Sequence, residues 1–206
     1  MAVSPAKERA LFELSAAHPA LDFVNTLDYR FGPDGALERL RDYADLLRFA
    51  EQTRLLDARQ VRRLGGSVPP QAAARALKSA RRLREALAST FYAVVDGQPP
   101  PDAALQTLQR HFHAASRHRE LRWESAGLEW HWGRFKTHAE LPVWMLALAA
   151  SELLSSGSAE RVRACAAESC RWLFLDTSKN HTRRWCDMKV CGNRMKAKRY
   201  QARHRQ

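Results

Sequence analysis

A mainly α-helical fold with a small β-hairpin, followed by a small four-cysteine unit and a basic C-terminal helix, is what this sequence predicts. Three observations carry that reading. Apolar residues recur at helical spacing through most of the first 160 residues, with cap residues and Pro/Gly breaks between the runs. One stretch, ELRWESAGLEWHW, alternates instead. All four cysteines fall between residues 165 and 191, in the segment that also holds nearly all the net charge.

The elements follow in chain order. The stretch HPALDFVNT (residues 18–26) sets Asp22, Asn25 and Thr26 among hydrophobic neighbours. A satisfied buried network or a helix cap is the expected use of such residues, and a ligand-sensing site is the alternative. In ALERLRDYADLLRFA, the residues Leu37, Leu40, Tyr43, Ala44 and Leu47 recur at three and four and predict one helix face. Asp57 is placed to N-cap a second helix that ends near Gly65 and Gly66. Pro69 and Pro70 open a long helix closed by Asp96 and Gly97, and Asp102 caps the next, which runs to Arg117. Ser125, Ala126 and Gly127 turn the alternating stretch into a hairpin, whose Trp123, Trp130 and Trp132 are expected to pack on the apolar run Leu141–Leu154. That run is hydrophobic on most sides and predicts the central core helix. SSGSAE, residues 155–160, is small and polar, and predicts a boundary between a helical domain (1–160) and a C-terminal unit (161–206) that touch rather than swing freely.

With 206 residues, the chain can bury one good core plus an appendage, or two modest domains. Its 45% apolar and 27% charged residues exclude wholesale disorder. The formal charge of +12 is concentrated: residues 161–206 hold 13 Lys and Arg against 3 Asp and Glu. Such asymmetry points to a polyanion, either nucleic acid or an anionic membrane surface. The basic C-terminal run has no apolar face to insert, which disfavours the membrane. At the N-terminus Lys7, Glu8, Arg9 and Glu13 interrupt any apolar run, and Leu141–Leu154 is too short to span a bilayer. The expectation is a cytoplasmic protein with reduced thiols.

The cysteines are spaced C-x4-C, fifteen residues, C-x4-C. Two disulfides would need an oxidising compartment, and redox pairs favour C-x-x-C in another context. Two cysteine pairs on tight turns instead supply the four soft ligands of tetrahedral Zn²⁺. RVRAC and RWLFLD read as short strands around the first pair, and the second pair runs directly into helix formers. This is treble-clef-like or zinc-ribbon-like organisation. The apolar inventory of the unit is thin, so a metal staple worth about 10 kcal/mol or more would be folding free energy. Four thiolates leave no open position for water, which makes one Zn²⁺ bound by Cys165, Cys170, Cys186 and Cys191 structural.

The segment WCDMKVCGNR (Trp185–Arg194), preceded by FLDTSKN (Phe174–Asn180), closely resembles the signature of the CGNR zinc finger family. HPALDFVNT resembles the start of the ABATE domain, which accompanies that finger in bacterial proteins. The resemblance covers essentially the whole chain, and all four cysteines, Gly192, Asn193 and Arg194 match. It implies a stress-induced transcriptional regulator, in some descriptions an RNA-binding zinc-ribbon-like protein.

After Cys191, Arg194, Lys198 and Arg205 lie near one helical stripe, and Lys196, Arg199 and Arg203 near another. Two uses are open: a recognition helix in a major groove, or a helix that tracks phosphates together with Arg183 and Arg184. Asn193 either reads adenine or braces the zinc turn. Trp172, Phe174 and Trp185 are expected in the small core rather than stacked on unpaired bases. The expected function is nucleic-acid binding for transcriptional control, DNA ahead of RNA, with no catalytic residues. The alternatives are an RNA binder, a zinc-stabilised protein–protein adaptor, and a treble-clef nuclease using His181. A small-molecule ligand of the first domain is left open and unidentified.

Overall fold

The structure is a computed structural model that describes residues 11–204. Lys7, Glu8 and Arg9, and the cation Arg205, lie outside the described residues. Seven α-helices and three two-stranded antiparallel ribbons are seen among those described.

Helix α1 (Pro19–Asn25) begins with proline at its first turn, and His18 caps it by accepting from the Ala20 amide. Strands β1 (Leu27–Asp28) and β2 (Leu37–Glu38) pair next. The helix expected across residues 36–50 therefore starts late, as α2 (Tyr43–Gln52). Asp42 is extended and accepts from the Asp45 amide, a strong N-cap that overrides the upstream periodicity. Glu38 is drawn away to Arg84, which is 3% exposed and grips both its carboxylate oxygens at 2.6 Å. Leu40 is still fully buried, but from a loop.

Helix α3 (Ala58–Ser67) carries a reciprocal capping box between Asp57 and Gln60, and continues through Gly65 and Gly66. Helix α4 (Pro70–Val95) is as expected, and α5 (Asp102–Arg117) follows with Pro101, rather than Asp102, in the cap position. Strands β3 (Glu120–Glu124) and β4 (Gly127–His131) form the anticipated hairpin. Helix α6 (Leu141–Ser155) buries Leu141, Val143, Trp144, Leu146, Ala147, Ala150 and Leu153, and sits at the centre.

The hairpin does not pack its tryptophans on α6. Only Trp132, beyond the end of β4, stacks with Trp144, their rings 5.9 Å apart. Trp123 and Trp130 are exposed, because cross-strand pairing puts them with Leu121 and Leu128 on one outward face.

After a 3₁₀ turn (Gly157–Arg161) come β5 (Val162–Ala164) and β6 (Leu173–Leu175), then a π-helical turn (Met188–Gly192) and α7 (Asn193–Arg203). Every residue of β6 is buried, against α1 and the rest of the same hydrophobic core that contains α4 and α6. Each such side chain contributes about 2 kcal/mol by burial. The two parts of the chain thus share one core. No described helix is long and apolar enough to cross a membrane.

Candidate metal centre and basic helix

Two tight turns aim the four cysteines at one point. The Cys165 amide donates to the Trp172 carbonyl across the β5–β6 ribbon, and the Cys170 amide donates to Ala167, which closes the first knuckle. In the second, Asp187 Oδ1 accepts from the Lys189 and Val190 amides at 2.6 and 3.1 Å, and the Gly192 amide donates to the Asp187 carbonyl. Gly192 is buried, and a Cβ there would lie 2.4 Å from the Met188 sulfur. That half-exposed side chain could rotate away, so the glycine is a packing preference more than a requirement.

The ligand atoms of Cys165, Cys170, Cys186 and Cys191 all lie within 4.8 Å of one another. Cys186 Sγ is 3.6 Å from both Cys170 Sγ and Cys191 Sγ. A tetrahedron with Zn–S bonds of about 2.3 Å has edges of about 3.8 Å, so the donor set fits the ion as it stands. Electrostatics agree. On their own the four thiols cannot all ionise: hydrogen bonds from Cys170 and Cys186 pull Cys165 well below the ordinary thiol range. Hydrogen bonding to Cys165 then pushes Cys170 and Cys186 up, and burial with the Cys165 charge raises Cys191. A divalent cation resolves that conflict. The site is a structural zinc centre, closed to water by four thiolates.

Two polar residues fix the strand and loop around the centre: Asn25, in the buried network expected of it, and Asp176, to which the sequence assigned no role. Asp176 is fully buried, and accepts from the Ser178 hydroxyl and amide and from the Arg183 amide. Burial opposes its ionisation, but those hydrogen bonds win and hold its carboxyl below the usual range. Asn25 reaches from α1 to β6, donating to the Leu173 carbonyl at 2.9 Å and accepting from its amide at 3.0 Å. The signal for both was a polar residue inside an apolar run.

Arg183, expected at the nucleic acid, is used internally. Its guanidinium donates to the carbonyls of Trp185, Ser15 and Cys186, and lies 4.5 Å over the Phe174 ring. Arg184 is exposed, stacked at 5.5 Å on Trp185. Arg194, Lys196, Lys198, Arg199 and Arg203 are all exposed along α7, as is Lys189 in the turn before it. Asn193 is exposed at the helix start, and no side-chain hydrogen bond braces it to the zinc turn among the described residues. Only Met195 of α7 packs against the core, so the helix projects from the metal turn.

Two family models together cover nearly all the described chain. The ABATE model, described as "Putative stress-induced transcription regulator", matches residues 17–157. The chain belongs to the ABATE family. The CGNR zinc finger model matches residues 161–204, which contain the four ligands and α7. No match was found among curated proteins.

The ABATE domain meets the finger at a cavity of about 390 Å³, lined by Phe12, Asp22, Thr26, Asp28, Arg48 and the finger's Trp172, among others. Trp172 Nε1 donates to Asp28 there at 2.9 Å. Burial pushes the Asp22 carboxyl up to about 6, against the opposing hydrogen bonds from the Ala16 and Ser15 amides. The folded state therefore holds a proton that the unfolded chain, with an ordinary value of 3.8, releases earlier. Stability from this group is greatest at low pH and falls as pH rises from about 4 to about 6. Asp22→Asn removes the penalty, and is expected to raise stability at pH 7.5 by up to about 3 kcal/mol while changing little at pH 4. Urea unfolding at the two pH values measures it; an equal effect at both would remove the assignment.

Proposed function

We propose that this protein binds nucleic acid through α7, with the zinc centre holding that helix in place, and that its target is duplex DNA in transcriptional control. The observation that carries this is the run Arg194, Lys196, Lys198, Arg199 and Arg203, exposed and without an ion-pair partner among the described residues. Unpaired cations of one sign, displayed on a rigid scaffold, are the electrostatic footprint of a polyanion site. At about 1.5 Å per residue the helix is about 16 Å long, and a major groove about 12 Å wide admits it. Its cations lie on two roughly opposite stripes, which suits a helix seated between two phosphate walls. Phe174 is fully buried and Trp172 is bonded to Asp28, so neither is displayed for base stacking. The role proposed is binding rather than catalysis, in the cytoplasm.

The test is salt-titrated binding to duplex DNA, single-stranded DNA and RNA, by fluorescence anisotropy. With about five phosphates neutralised, log K against log salt should slope at about −4 to −5 for the duplex. The triple reversal Arg194→Glu, Lys198→Glu and Arg199→Glu should lower affinity by more than about 100-fold and flatten the slope, with zinc content unchanged. Unchanged affinity in the reversed variant would remove α7 from the function. A preference for RNA or single strands would reassign the target.

A further inference from the structure

The β3–β4 hairpin is built like half of an interface. Leu121 pairs with Trp130 and Trp123 with Leu128, so the four side chains share one face. That face is uncovered: Leu121 is 50% exposed, Trp123 79%, Leu128 63% and Trp130 55%. Scattered apolar residues on a surface are ordinary, but a contiguous patch with two tryptophans is not. A two-stranded ribbon that packs mainly on itself is also marginal in water. Arg119 holds Trp130 in place, its guanidinium 4.1 Å over the ring.

We infer that a second copy of this chain covers this face, and that the protein is a two-fold dimer joined through its hairpins. Charge selects the occupant. In a chain of net +12, residues 119–131 carry Arg119 and Arg122 against Glu120, Glu124 and Glu129. Arg122 and the three glutamates alternate with the apolar four and so lie on the ribbon's other face, which leaves Arg119, already stacked on Trp130, as the charge of residues 119–131 that shares the apolar face. Such a face offers no cluster of cations to phosphate or anionic headgroups, whereas an apolar face is complementary to its own copy in an isologous contact. Area agrees. The four side chains expose on the order of 500 Å² in one copy, so pairing them removes on the order of 1,000 Å² before any rim is counted. That lies at the threshold of a specific interface. Tryptophan is also a residue type that the centre of such contacts favours. The dimer stands whether or not α7 binds nucleic acid.

Light scattering after size exclusion, at about 1–100 µM, tests this on the full chain. The wild type is expected to reach twice the 23.5 kDa chain mass within that range. Trp123→Ser with Trp130→Ser is expected to stay at the single-chain mass, with unchanged far-ultraviolet circular dichroism and zinc content. Trp123→Glu alone, at the most exposed of the four positions, is the second variant should the double one misfold. A wild type that stays monomeric throughout overturns the inference, as does a dimer that either folded variant retains. A monomer whose tryptophan emission shifts to the blue with single-stranded DNA or with phosphatidylglycerol vesicles would give the face to that ligand, and also overturns it.

Discussion

Cys186→Ser is expected to abolish the zinc centre and unfold the segment from Cys165 onward. A serine hydroxyl is a poor substitute for a thiolate, and Cys186 sits between two other ligands at 3.6 Å. Structural zinc contributes on the order of 10 kcal/mol or more to small domains, which exceeds what this unit's own core can offset. The loss should not stop at the finger. Leu173, Phe174 and Leu175 are buried in the core shared with α1, α4 and α6, so releasing β6 uncovers apolar surface on the helical part. The helical signal should largely persist, with a lowered melting temperature. Circular dichroism together with metal analysis checks both halves of this. One zinc per wild-type chain and none in the variant is expected; a variant with wild-type melting and no zinc would show that the metal does not hold the fold.

Asn25→Leu is expected to cost about 4 kcal/mol, although it adds no charge and roughly conserves volume. Among the described residues the Asn25 side chain is the hydrogen-bond partner seen for the buried Leu173 amide, and it also serves the Leu173 carbonyl. Leucine leaves two buried backbone groups unpaired, each worth about 1–3 kcal/mol. For a chain of this size that corresponds to a drop in melting temperature of about 10 °C. A loss below about 1 kcal/mol would mean that water replaces the side chain, and that Asn25 is incidental to the join between α1 and β6.

Helices α3, α4, α5 and α6 were legible from periodicity and caps, because their signals are local: Asp57, Pro69 with Pro70, Asp96 with Gly97, Asp102, and the unbroken apolar run Leu141–Leu154. The start of α2 was misjudged, since the pull on Glu38 comes from Arg84, 46 residues away. The hairpin was placed correctly and its tryptophans were not, because alternation says which residues share a face and nothing about what covers it. Arg183 and Arg184 look alike in sequence; only the fold commits one guanidinium to three carbonyls and leaves the other exposed.

By itself the sequence determined the zinc ligands, the helical class and the basic helix after Cys191. Spacing, periodicity and charge are properties of neighbours along the chain, and a metal that takes two pairs of cysteines needs little more. The tertiary structure alone decided that the two parts share one core, that Asn25 is tied to Leu173, that a cavity lies between Asp22 and Trp172, and that Trp123 and Trp130 face outward. Each of these depends on contacts between residues far apart in sequence, or on the absence of a covering element, and neither is written in local pattern.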